Sequence, residues 1–211
     1  MAVDFESSFL VFTSRGIRNN FANSLRKIEE SGNSKLRVLL GEIGVPFDIK
    51  NDTNYASSTV LLDRSLRAVE ESNLDYTFWN YSPQNTQVDG DKWNGEDLSI
   101  RSGAGNRGLL SAIRPYAIEA SAGVFFAKQE FNPKSKRKDY TLSIICRTAG
   151  TKRVSIYLPR FHFSTNESKV MHSSGQVQSN AKKQELQWEG ILCDRKHLHH
   201  EIKISNAPYY Y

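Results

Sequence analysis

A chain of 211 residues with 38% hydrophobic and 11% aromatic residues has room for one large or two small domains and enough apolar material for a packed core. That composition excludes global disorder, and no apolar run approaches the roughly 20 residues that a membrane-spanning helix needs. The net charge of +5 is mild. Its densest cluster, Lys134, Lys136, Arg137 and Lys138, has no interleaved aromatics, so it reads as a solvated loop and not as a nucleic-acid surface.

The first residues, Met1-Ala2-Val3-Asp4-Phe5-Glu6, lack the basic and apolar regions of a signal peptide, so the expected location is the cytoplasm or the vacuole. Ile17, Phe21, Leu25 and Ile28 form one stripe at helical spacing, which predicts a helix over 16–30 that Ser31-Gly32-Asn33 ends. A strand over 36–42 follows. Its run Val38-Leu39-Leu40 predicts burial on both faces, as in a parallel sheet, and it carries Glu42 at its outlet. After a polar loop (48–57), Leu62, Leu66 and Val69 mark a second amphipathic helix with Ser57 or Ser58 as N-cap and Ser72-Asn73 as its end. Tyr76 to Tyr81 is aromatic and β-branched, and predicts the next strand. Helix and strand in alternation argue for parallel strands joined by helical crossovers.

Residues 82–108 read as one long loop, the kind that is usually functional, before a short helix over 106–113 that stops ahead of Pro115. The grammar then changes. Segments 124–131, 140–147, 153–158, 185–188 and 201–205 are short and β-prone, which predicts an antiparallel β-sandwich, while 164–184 is polar and Ser-rich and reads as a mobile loop. The domain division expected is therefore 1–114, α/β, and 115–211, all-β. Two βα units cannot close a barrel, which needs roughly 250 residues, so the first domain is expected to be the last two units of such a barrel, completed by chain absent here.

Candidate chemistry gathers at the outlet of the two strands. Retaining glycoside hydrolysis uses two carboxyl groups about 5–5.5 Å apart, one of them a nucleophile, and Glu42 suits that role. Trp79, ending the next strand, offers flat apolar area to a sugar face, with Asn80, Tyr81 and Trp93 adjacent. Glu96 and Asp97 are loop carboxylates able to accept sugar hydroxyl bonds. The run from Gly103 to Gly108 spells a dinucleotide fingerprint but lacks the βαβ unit around it. His197, His199 and His200 crowd together, yet the alternation His197-Leu198-His199 suggests a sheet surface; a metal site would want a further ligand such as Cys193, and no metal is assigned. Cys146 and Cys193 fit a reducing compartment, with a single bridge left open.

Leu40-Gly41-Glu42-Ile43-Gly44-Val45-Pro46-Phe47-Asp48, Phe78-Trp79-Asn80-Tyr81 and Trp93-Asn94-Gly95-Glu96-Asp97-Leu98-Ser99 occur in this order. Together with Arg114-Pro115-Tyr116 and Ile156-Tyr157-Leu158-Pro159-Arg160-Phe161, they resemble the endoglycoceramidase-like branch of glycoside hydrolase family five, in particular the fungal intracellular β-glucosidases of glucosylceramide and steryl glucosides. The resemblance implies a (β/α)8 TIM barrel followed by a C-terminal β-sandwich, no cofactor, Glu42 as nucleophile at the end of strand seven, and Trp79 bordering the glucose subsite at the end of strand eight. It places the family's acid/base glutamate after strand four, and no position here matches it. The expectation is thus the C-terminal part of a glycolipid β-glucosidase, inactive alone, with a glycolipid substrate, peripheral membrane contact and a complementing N-terminal half as partners. The alternative expectation is a non-catalytic sandwich module that binds lipid, a membrane surface or a partner chain.

Overall fold

The structure, a computed structural model, describes residues 23–25, 27, 39–72, 74–86, 88–133, 138–163 and 168–206. They fall into two compact units divided between Ala112 and Ile113.

In the first unit, β1 (Leu39–Ile43) and β2 (Asp75–Phe78) pair in parallel, with Leu39 opposite Asp75, Leu40 opposite Tyr76 and Ile43 opposite Phe78. Between them runs α1 (Ala56–Glu71), the crossover that parallel pairing requires. Its buried face is Leu62, Leu66, Ala68 and Val69, the expected stripe, and it packs with Ile43, Val45 and Phe47 into one core. Each of its large apolar side chains contributes about 1.5–3 kcal/mol by burial. Asn23, Ser24, Leu25 and Lys27 are helical and Leu25 is buried; the rest of the helix expected over 16–30 lies outside the described residues.

Two expectations need correction here. The serines do not cap α1. Asp52 does: its carboxylate accepts the backbone N–H of Ser57 (2.7 Å) and of Ser58 (2.9 Å), and the Ser58 hydroxyl as well. The strand carrying Glu42 is not buried on both faces. Leu39, Gly41 and Glu42 are exposed and only Ile43 is fully buried, because β2 is its one neighbouring strand among the described residues. The loop 82–108 contains a small hairpin, β3 (Arg101–Ser102) with β4 (Gly105–Asn106), and the short helix α2 spans Leu109–Ala112.

Among the described residues, the second unit holds eight strands in two antiparallel sheets. They are β5 (Tyr116–Ala120), β6 (Val124–Asn132), β7 (Asp139–Cys146), β8 (Gly150–Tyr157), β9 (Lys169–His172), β10 (Gln176–Asn180), β11 (Glu185–Cys193) and β12 (His199–Ser205). One sheet runs β10-β11-β8-β5 and the other β6-β7-β12-β9. The two-residue period of a strand puts Tyr140, Leu142, Ile144 and Cys146 of β7 on one face, and likewise Ile202 and Ile204 of β12. These join Val154, Ile156, Leu186, Trp188 and Ile191 from the other sheet in a single core. The mobile loop expected over 164–184 is corrected: β9 and β10 lie within it and extend the two sheets. Of the two states left open for the cysteines the structure has the bridge: Cys146, ending β7, is bonded to Cys193, ending β11, with their Cα atoms 5.9 Å apart.

Candidate active site

Because β1 and β2 run parallel, their C-terminal ends open at one edge. Glu42 is the penultimate residue of β1 and its side chain is exposed. Trp79 follows β2 directly, and its backbone N–H continues the ladder to the Ile43 carbonyl at 2.9 Å. Gly44 lets these backbones meet: a Cβ there would overlap the Trp79 carbonyl oxygen. The Trp79–Asn80 peptide is cis.

The Trp79 indole is half-buried and donates from Nε1 to Glu96 Oε2 at 2.9 Å. Asn80 donates from Nδ2 to Asp91 (3.0 Å), and Asp91 also accepts from Asn85 Nδ2 (2.7 Å) and the Leu98 backbone (2.8 Å). Asn85 reaches Asp97 as well, at 2.7 Å. Arg107 closes the network with a two-pronged pair to Asp97 at 3.0 and 2.7 Å, a further bond to the Ser99 carbonyl, and its guanidinium 4.6 Å from the centre of the Phe47 ring. The Arg107 side chain is 1% exposed and that of Asp97 11%. A bidentate arginine in so dry a place fixes geometry more than it adds charge.

The structure therefore brings Trp79, Asn80, Glu96 and Asp97 into one connected set and places Glu42 on the adjoining strand. Tyr81 and Trp93 stand apart with exposed side chains, at 66% and 59%. Asp97, expected to accept sugar hydroxyls, has both oxygens engaged by Arg107 and Asn85, so its position is that of a brace. A shallow hollow beside the loop is lined by Asp48, Val88, Asp89, Gly90, Gly95 and Asp97, and of the expected site residues only Asp97 reaches it. Sequence reasoning missed Asn85, Asp91 and Arg107; nothing local distinguishes them from the polar residues around them, and only their burial reveals the network. The Oδ1 atoms of Asn80 and Asn85 are buried and accept no hydrogen bond among the described residues.

With this geometry the chain can be set beside known proteins. No family model matches it. It is 29% identical over 195 residues to a glucosylceramidase of Rhizopus delemar, covering 78% of this chain and 28% of that protein. It is 26% identical over 253 residues to ergosteryl-beta-glucosidase of Saccharomyces cerevisiae, covering 85% of this chain and 33% of that protein. The crystal structure of Cryptococcus neoformans sterylglucosidase 1 superposes with a TM-score of 0.77 at 22% identity, covering 90% of this chain and 32% of that one. The chain is thus a relative of glucosidases. The relatives are named as glucosylceramidase and ergosteryl-beta-glucosidase, the chain spans about a third of their length, and it shares the fold of the matching part of sterylglucosidase 1.

Proposed function

We propose that the chain is the C-terminal part of a retaining β-glucosidase that hydrolyses glycolipids, glucosylceramide or steryl glucoside. In this reading β1 and β2 are the last two strands of a (β/α)8 barrel, and the eight strands of the second unit are its C-terminal β-sandwich. The observation that carries it is that two parallel strands end at one edge, with Glu42 next to last in β1 and Trp79 directly after β2, in a chain related to glucosidases over most of its length.

In the complete enzyme Glu42 attacks the anomeric carbon, the glycosidic oxygen leaves with the proton of an acid supplied by the preceding part of the barrel, and water cleaves the resulting glucosyl ester. Trp79 supports the glucose ring, and Asn80, bonded to Asp91, holds the chain that follows it in place. No cofactor enters this chemistry.

The test is mechanism-based labelling of the full-length gene product with a 2-fluoroglucoside. A glucosyl adduct on the peptide containing Glu42, and its loss in Glu42→Gln with a fall in turnover of at least about a thousandfold, is the expected result. An adduct on another carboxylate, or turnover that survives the exchange, removes Glu42 from the mechanism. The rival reading, a non-catalytic module binding lipid or a membrane surface, draws on the second unit having a core of its own. It requires sedimentation with anionic vesicles that weakens with salt.

A further inference from the structure

The second unit buries three metal-binding side chains together at one end of its core. Cys146 ends β7, Cys193 ends β11 and His200 lies on β12, so the two sheets contribute jointly. One ligand atom from each lies within 4.8 Å of the others, and the residues are 2%, 1% and 5% exposed. His200, expected on a sheet surface with its neighbours, instead faces inward; His199 is the exposed one.

We propose that this trio is a redox-gated site for a thiophilic divalent ion of the zinc class: closed to metal as the disulfide, and a binding site as the dithiol. Zinc bonds to sulfur at about 2.3 Å and to imidazole at about 2.0 Å, which sets tetrahedral ligand separations of roughly 3.5–3.8 Å. Once reduced, the two bonded sulfurs must part to about 3.8 Å, and the imidazole nitrogen, within 4.8 Å of them, must settle at about 3.5 Å. Two thiolates and a neutral imidazole around a divalent cation carry no net charge, the one condition under which an ion suits a dry core.

The histidine is already oriented. Its Nε2 lies 3.2 Å from the His197 carbonyl, which can only accept, so Nε2 carries the proton and Nδ1 the lone pair. A ring N–H held by a backbone carbonyl is the usual support of a metal-bound histidine. The hydroxyls of Ser173 (3.2 Å) and Ser174 (3.0 Å) meet Nδ1 and donate to its lone pair, so an ion bonding there displaces them. Trp188 holds that serine loop in place by donating to the Ser174 carbonyl at 2.7 Å.

A dithiol reductant passes two electrons and two protons to the Cys146–Cys193 bond, becoming a disulfide itself and leaving two thiols. The ion then displaces both thiol protons and bonds to the two sulfurs and to His200.

Cobalt(II) is the probe, added to the full chain under anaerobic conditions before and after reduction with a phosphine. The reduced chain is expected to take up one equivalent with thiolate-to-cobalt charge-transfer absorption, and the oxidised chain none. His200→Ala should weaken binding at least about tenfold, and His199→Ala should leave it unchanged. Cys146→Ser should abolish the absorption, and the oxidised wild type serves as a folded control that lacks thiols. A reduced, folded chain that binds no cobalt, or binding that survives in the oxidised chain, overturns the proposal.

Discussion

Glu96 holds the indole of Trp79 through a single hydrogen bond of 2.9 Å between Nε1 and Oε2. In the function proposed above Trp79 is a sugar platform, useful only in one orientation, and this bond, made across 17 residues of chain, sets that orientation. A bond to a charged acceptor is worth about 1.5–3 kcal/mol. In the full-length enzyme Glu96→Ala should therefore lower kcat/KM by roughly tenfold or more. Glu96→Gln, which keeps an acceptor oxygen, should lose less, and Trp79→Ala should lose the most. The comparison is made on a fluorogenic β-glucoside, and equal activity of Trp79→Ala and wild type would dissociate the indole from the substrate.

The loop behind Trp79 depends on the Arg107–Asp97 pair. Both side chains are nearly dry, and removing one partner strands the other's charge in the core. Such a break costs about 3–5 kcal/mol. Arg107→Ala and Asp97→Ala should each shift urea unfolding by an amount of this order. The double exchange should cost less than the sum of the two, because the second partner no longer has a charge to satisfy. Additive losses would show that the two residues act separately.

These contacts also mark the limits of what the residues alone disclose. The apolar stripe Leu62, Leu66, Val69 and the alternation through Tyr140, Leu142 and Ile144 were legible because core positions repeat at the period of their element. Three of the missed strands, β5, β9 and β10, lie at sheet edges, where few side chains enter the core and the sequence has little reason to alternate. Trp79 and Glu96, singled out by residue type and position, are bonded to one another. Asp91 and Arg107 could not be singled out, since a buried polar residue looks like a loop residue until its partners are placed around it. The Cys146–Cys193–His200 group was half legible: Cys193 was the right companion for the histidines, but strand pairing selects His200 over His199.

A third expectation concerns acid. His162 is buried, its Nε2 meets the Ile113 carbonyl at 2.8 Å, and its Nδ1 has no partner among the described residues. Burial pushes its pKa down to about 4; the bond to Ile113 opposes this, and the charges of Lys138 and Arg114 add to it. A histidine held neutral by the fold stabilises it above the unfolded value, near 6.5, and that contribution drains away as pH falls from there toward 4. The urea midpoint of the second unit's transition should thus decline between pH 7 and pH 5. His162→Gln should flatten that decline, and an unchanged slope would assign it to other groups.

Asp52 titrates in the opposite sense. Burial raises its pKa, but the hydrogen bonds from Ser57 and Ser58 together outweigh this and leave it below the ordinary value of 3.8. A carboxylate with a depressed pKa lends its stability above the unfolded value and loses it as pH falls through the folded one. The cap on α1 should therefore be fully effective at neutral pH and fail only below about pH 4, a window distinct from that of His162. Asp52→Ala should cost about 1 kcal/mol at pH 7, the usual worth of a capping side chain, and Asp52→Asn, which keeps one of the two acceptor oxygens, should cost less. Amide exchange at Ser57 and Ser58 reads this directly: both amides should be protected in the wild type and faster in Asp52→Ala. Equal protection in the two would show that the start of α1 is held by its packing through Leu62 and Leu66 and not by its cap.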